Sequence, residues 1–127
     1  SSTVRNNHGH QNVRYGLHFM FSNHDDYLDN TFERNGAGVA VMFSKHIVMR
    51  CNRFIENWGT ASYGLLLKEI YDAEVENNEF RQNTIAIYLE GSTRINYTQN
   101  TFRMNGYAIK VARGCYENRF FKNDFIG

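Results

Sequence analysis

The sequence predicts an all-β fold, a right-handed parallel β-helix of about 22 residues per coil and roughly five coils, and three observations carry that prediction. First, the pattern Asn-x-Phe-x-x-Asn recurs at Asn30, Phe32 and Asn35, at Asn52, Phe54 and Asn57, at Asn78, Phe80 and Asn83, at Asn100, Phe102 and Asn105, and at Asn118, Phe120 and Asn123. The first four copies begin 22, 26 and 22 residues apart, which is a solenoid period, and the fifth follows after 18. Second, an apolar run starts at residues 16, 38, 64, 86 and 108, so a second feature keeps the same frame. Third, no stretch sustains helical i, i+3, i+4 spacing over three turns, proline is absent, and Gly and Asn mark the bends.

Each coil resolves into three short strands. On the first, Leu17, Val39, Leu65, Ile87 and Ile109 form one inward column, and Phe19, Val41, Leu67, Leu89 and Val111 form the next on the same face. The second strand shares the inward column Tyr27, Met49, Val75 and Tyr97, and the third shares Phe32, Phe54, Phe80 and Phe102. The single spacing of 26 is explained by four extra residues within 58–63, read as a loop inserted at a turn. Coils pair as parallel strands about 4.8 Å apart, so each column becomes a ladder of like side chains. Right-handed winding is the expectation for parallel crossovers. The Asn columns are expected to turn the corners, since Asn tolerates left-handed backbone, and to bond amide to amide between coils. Asn6, Asn7 and Asn12 hint at a degenerate earlier copy that lacks its Phe.

Composition narrows the functional classes. The chain has 127 residues, expected to form one β-helix domain over 1–127, and its polar start and its stop soon after a motif copy suggest a segment of a longer β-helix protein. Fourteen Lys and Arg against 13 Asp and Glu leave a formal charge of +1 with both signs scattered, which argues against nucleic-acid binding or charge-driven membrane association. No apolar run approaches a transmembrane span, so direct membrane insertion is not expected. Cys51 and Cys115 fall about 14 Å apart along the axis, beyond the roughly 7 Å that a disulfide allows. Two free thiols are therefore expected, with Cys51 buried in a column shared with Asp29, Asn77 and Gln99.

Candidate chemistry lies on the outward columns of the first strand: His18 and Met20, Ala40 and Met42, Leu66 and Lys68, Tyr88 and Glu90, Lys110 and Ala112. Met20 and Met42 should stack one coil apart with His18 two residues along the same face, and Ala40 should leave room beside them. Two thioethers and an imidazole make a soft ligand set suited to Cu(I) rather than to Ca, Mg or Zn. A blander reading is an exposed adaptable patch for a partner, with Leu66 at its edge. His24 and His46 share a column after the first strand, and their spacing permits a shared metal as a weaker site. His8 and His10 belong to the degenerate copy.

The carboxylates argue against catalysis. Lys68, Glu90 and Lys110 alternate in sign as a cross-strand ladder. Asp25, Asp26 and Asp29 cluster, yet the matching positions of the next coil are Ile47, Val48 and Cys51. No phosphate loop, nucleophile elbow or Cys-x-x-Cys pair is present, so no catalytic residue is assigned. The alternative is a polysaccharide lyase or epimerase acting on polyuronates through Asp25, Asp26, Tyr88 and Lys110, or a sugar-binding module using aromatics such as Tyr88.

The run Arg14-Tyr15-Gly16-Leu17-His18-Phe19-Met20-Phe21-Ser22-Asn23 and the segment from Asn30-Thr31-Phe32-Glu33-Arg34-Asn35 through Gly38-Val39-Ala40-Val41-Met42-Phe43-Ser44 resemble the NosD family of nitrous oxide reductase maturation proteins. Gly64-Leu65-Leu66-Leu67-Lys68 and Asn100-Thr101-Phe102 fit the same family. The resemblance implies a periplasmic, non-enzymatic protein that handles copper transiently or docks partners while the copper centres of nitrous oxide reductase are assembled, and the soft donor set above makes the expected form Cu(I). The implied partners are the subunits of an ABC transporter, nitrous oxide reductase and a copper chaperone. His18, Met20 and Met42 are placed by the columns above, not by the family.

Overall fold

The computed structural model describes residues 2–10, 15–20, 23–59 and 62–127, and among them every regular element is a β-strand. A partial first turn holds β1 (Ser2–Arg5) and β2 (His8–His10), and the first full coil holds β3 (Tyr15–Met20), β4 (Asn23–Leu28) and β5 (Thr31–Glu33). The next two coils fuse their first and second strands, giving β6 (Ala37–Arg50) and β7 (Arg53–Ile55), then β8 (Leu65–Glu76) and β9 (Glu79–Arg81). Three strands per coil return in β10 (Ile85–Glu90), β11 (Thr93–Thr98) and β12 (Thr101–Arg103), and in β13 (Tyr107–Val111), β14 (Arg119–Phe121) and β15 (Asp124–Ile126). All pairings are parallel, the first and second strands forming one nine-stranded sheet and the third strands a six-stranded one. The chain is a parallel β-solenoid.

The predicted columns stand in register. Leu17 pairs with Val39, Val39 with Leu65, Leu65 with Ile87 and Ile87 with Ile109, so the frame resumes after the inserted loop. That loop is tied to both neighbouring coils: the Ser62 hydroxyl donates to the Gly36 carbonyl, and Gly59 N–H donates to the Thr84 hydroxyl at 2.9 Å. Tyr27, Met49, Val75 and Tyr97 are buried, as are Phe32, Phe54, Phe80 and Phe102. The Phe rings run as a continuous stack, with centroids 5.7, 4.7 and 5.0 Å apart and Phe125 adding a further step of 4.7 Å. Each such pair adds about 0.5–1.5 kcal/mol to what burial alone contributes. The predicted Arg14, Phe21 and Ser22 of the first run, Asn12 of the degenerate copy, and Thr60 and Ala61 of the loop lie outside the described residues.

The Asn ladders differ from expectation in one respect. Asn7, Asn30, Asn52, Asn78, Asn100 and Asn123 form one ladder, in which each backbone N–H donates to the amide oxygen of the next coil's Asn at 2.8–3.0 Å. Asn35, Asn57, Asn83 and Asn105 form a second. None of these Asn residues takes the left-handed backbone. It is the residue before each that does: Asp29, Cys51, Asn77 and Gln99 ahead of one ladder, and Arg34, Glu56, Gln82 and Met104 ahead of the other, with φ of 53–59°. None of those eight is β-branched, as the sterics of positive φ require. The division of labour is physical: the left-handed residue turns the chain, and the following Asn satisfies the backbone groups that the turn exposes.

Two predictions are overturned by this corner geometry. Cys51 is exposed rather than buried, because a left-handed corner residue leaves the strand alternation and turns its side chain out with Asp29, Asn77 and Gln99. Both cysteines are nevertheless free. The copy at Asn118, Phe120 and Asn123 is not the fifth rung. Phe125 pairs with Phe102 and Asn123 bonds Asn100, whereas Phe120 stacks on Tyr97 at 4.3 Å. Leu89 pairs with Val111 at an offset of 22, but Tyr97 pairs with Phe120 at 23, so one extra residue enters between them. Asn118 then serves a different position, accepting from Ile95 N–H and donating to the Ser92 carbonyl.

Candidate metal-binding face

The first-strand outer face brings the predicted soft ligands into register. β3 and β6 pair His18 with Ala40 and Met20 with Met42, which places the two Met Cα atoms about 4.8 Å apart on one face. Met20 is 43% exposed, Met42 is half-buried and His18 is exposed. Ala40, expected to open a space beside them, is instead fully buried, so any ion or partner must approach from the Met side. The next rung is Lys68, paired with Met42 and with Glu90, its Nζ 3.7 Å from the Glu90 carboxylate and 5.9 Å from the centre of the Phe43 ring. An ammonium one rung away disfavours a divalent ion more than a monovalent one, in keeping with the soft donor set. The extended Lys–Glu–Lys ladder is not formed. Lys110 pairs with Tyr88 and lies 5.8 Å from the centre of the Tyr107 ring.

Around the bend, on the second-strand face, His24 and His46 meet as predicted. Their rings stack with centroids 4.6 Å apart and planes 9° from parallel, and both residues are exposed. Each has positive φ, 58° and 59°, at equivalent positions between register pairs Asn23 with Lys45 and Asp25 with Ile47. Asp72, Arg94 and Glu117 share that left-handed geometry at the successive offsets of 26, 22 and 23. Arg94 holds Asp72 through a fork at 2.6 and 3.2 Å. That hydrogen bond, with the charges of Arg94, His46 and Lys45 behind it, keeps the Asp72 carboxyl below the usual carboxylate range. The column borders a groove of about 730 Å³ that also takes in Asp26 and Glu74. Asp72, Arg94 and Glu117 were missed in the sequence because their alignment with the histidines needs the unequal offsets, which only the register reveals.

Of the acidic cluster, Asp25 proves to be an inward residue. It lies in the column of Ile47 and Ala73, is fully buried, and among the described residues neither carboxylate oxygen has a hydrogen-bond partner. Burial first, and the nearby Asp25 carboxylate second, push the Tyr27 hydroxyl far above the usual phenol range. Asp25→Ile, which extends the apolar column, is expected to stabilise the protein by about 1–3 kcal/mol by removing an unpaired buried carboxylate, seen as a higher urea midpoint. A lowered midpoint would mean that the carboxylate has a compensating partner in solution.

Among the described residues, no group of three or more His, Cys, Asp or Glu side chains is placed to hold a metal. The donor groups brought together among them are the thioether pair with His18, the stacked His24 and His46, and His8, whose ring centre lies 4.7 Å from that of His10 and whose Nε2 is 2.6 Å from Glu33 Oε1. No helix is long and apolar enough to cross a membrane.

Two solved structures resemble this chain to different degrees. A candidate glycosyl hydrolase from Parabacteroides merdae superposes with a TM-score of 0.74 at 10% identity, over 92% of this chain and 64% of its own. The A-module of the mannuronan C-5 epimerase AlgE4 from Azotobacter vinelandii is matched with a TM-score of 0.39 at 13% identity, over 98% of this chain and 53% of its own. The chain thus spans less than two thirds of the length of either, and the likeness to the first concerns the fold alone. No curated protein matches the sequence. One family model does, over residues 1–127, and its description is periplasmic copper-binding protein. The chain belongs to the NosD family.

Proposed function

We propose that this chain is a non-enzymatic periplasmic accessory module that binds Cu(I) transiently while the copper centres of nitrous oxide reductase are assembled. In this reading it works beside an ABC transporter and exchanges the ion with a copper chaperone and the reductase. The observation that carries the proposal is the in-register pair Met20 and Met42, with His18 on the same outer face of a NosD-family solenoid. Neutral thioether and imidazole donors match a monovalent soft ion, and their partial exposure leaves them accessible to a second protein. Transfer between proteins calls for such a shallow site, since a fully enclosed ion has no route to its acceptor.

The test is a Cu(I) titration against a chromophoric competitor, comparing the wild type with a Met20→Leu, Met42→Leu double variant. Loss of both thioethers is expected to lower Cu(I) affinity by at least about tenfold, roughly 1.4 kcal/mol. Equal affinity in two equally folded proteins would overturn the site. The alternative of a polyuronate lyase or epimerase keeps Asp26, Tyr88 and Lys110 on outward columns but loses Asp25 to the core.

A further inference from the structure

The geometry points to a second metal site on the adjacent face, a two-imidazole chelate formed by His24 and His46 that takes a borderline divalent cation such as Cu(II), Ni(II) or Zn(II). It is separate in donor chemistry from the Cu(I) site and does not depend on that reading.

Two observations support it. Equivalent left-handed backbone at His24 and His46, with φ of 58° and 59°, sends both side chains out of the solenoid in the same direction from adjacent coils. Two side chains repeated at the same bend differ in position mainly by one strand spacing, so their nitrogens are presented side by side rather than divergently. The rings already lie 4.6 Å apart and 9° from parallel. An ion bound at about 2.0–2.1 Å from each nitrogen needs donor nitrogens no more than about 4 Å apart. Because the ring planes are nearly parallel, both rings must tilt out of the stack to aim their lone pairs at one ion, a rotation about side-chain bonds that is open to exposed residues.

The surroundings favour a cation that keeps open positions. Asp26 follows two residues after His24, and Asp72 is the next left-handed residue beyond His46 in the stack. Glu74 lines the same groove. Arg94 clamps Asp72, so that carboxylate is fixed in place and acts through the field or an intervening water rather than as a direct ligand. Arg94 and Arg119 line the groove and Lys45 adjoins His46, and these positive groups limit the site to moderate affinity. The groove of about 730 Å³ in front of the rings gives the remaining coordination positions to water or to a ligand carried by the ion. Imidazole donors select Cu(II), Ni(II) and Zn(II) over Ca or Mg.

The experiment is a titration of the whole chain with Cu(II), read by electron paramagnetic resonance and by calorimetry. A His8→Ala, His10→Ala background removes the other close imidazole pair, whose ring centroids are 4.7 Å apart, and in it the chain is expected to bind one equivalent with hyperfine structure from two equivalent imidazole nitrogens. His24→Ala and His46→Ala should each weaken binding by on the order of tenfold or more, because the second imidazole then no longer binds intramolecularly. The double variant, which lacks both imidazoles, should bind no more tightly than either single one. The Met20→Leu, Met42→Leu protein should keep this signal, which separates failure here from failure of the Cu(I) site. Arg103→Ala, on the third-strand face, serves as a control and should leave binding unchanged. Unchanged affinity in the His24 and His46 variants, or loss in a control instead, would overturn the assignment.

Discussion

Gly38→Ala is expected to unfold the protein or cost about 3 kcal/mol or more, although it adds one methyl group to a β-strand. A Cβ at Gly38 would lie 2.1 Å from the carbonyl oxygen of Gly64 and 2.9 Å from its carbonyl carbon. Those are backbone atoms of the neighbouring coil, so no rotamer change relieves the clash. The same stretch receives the inserted loop: Gly38 N–H donates to the Tyr63 carbonyl at 2.7 Å, and Val39 N–H donates to the Gly64 carbonyl at 2.8 Å. A methyl group would therefore force apart both the coil-to-coil contact and the point where the loop rejoins the frame. Ala86, one rung beyond Gly64, carries a fully buried Cβ in the same column, so that rung accepts the methyl group that Gly38 does not. Circular dichroism and urea denaturation of Gly38→Ala provide the check. A midpoint within error of wild type would show that the coils can separate there at little cost.

The second large effect is expected from Asn78→Leu, in the middle of the longer ladder. The Asn78 amide oxygen accepts from the Asn52 backbone N–H at 2.8 Å and from the Asn52 side-chain amide at 3.1 Å. Its own amide nitrogen donates to the Met49 carbonyl at 3.0 Å and to the Asn100 amide oxygen at 3.0 Å. Leucine removes all four bonds and orphans a backbone N–H and a carbonyl in residues that are at most 1% exposed, Asn52 and Met49. At about 1–3 kcal/mol for each stranded group, the total loss should be roughly 3–5 kcal/mol. Asn7→Leu, at the exposed end of the same ladder, strands no buried donor and should cost under about 1 kcal/mol. Equal losses at Asn7 and Asn78 in urea melts would contradict the ladder as the source of the effect.

These two positions illustrate how much was legible beforehand. Asn78 could be read as a ladder residue because its motif recurs with its Phe, and a repeated polar residue at a solenoid corner has one consistent use. The closeness at Gly38 could not be read, since it depends on how the loop seats across two coils. The same division applies to the sites. Met20 beside Met42, and His24 beside His46, follow from counting residues between motif copies. That Ala40 is closed off, that Asp25 faces inward, and that Asp72 and Arg94 extend the histidine column depend on where the chain bends.

The misplaced copy at Asn118 shows the limit most clearly. Its local pattern satisfies the motif, but pairing is decided by the whole coil, and one added residue before it moves Phe120 onto Tyr97 and leaves Asn123 and Phe125 to continue the ladders. A strand slipped by one residue would exchange inner and outer faces, so the buried columns select the register and the motif follows.

The sequence by itself determined the solenoid, its period, its aromatic and amide columns and the neighbours across each strand pair, because identical positions repeated in successive coils become spatial neighbours. Only the tertiary structure decided which residues turn the corners and which outward positions stay open. Those depend on backbone dihedrals at single residues, here the left-handed bends before each Asn and at His24 and His46, and no periodic pattern of side chains encodes them.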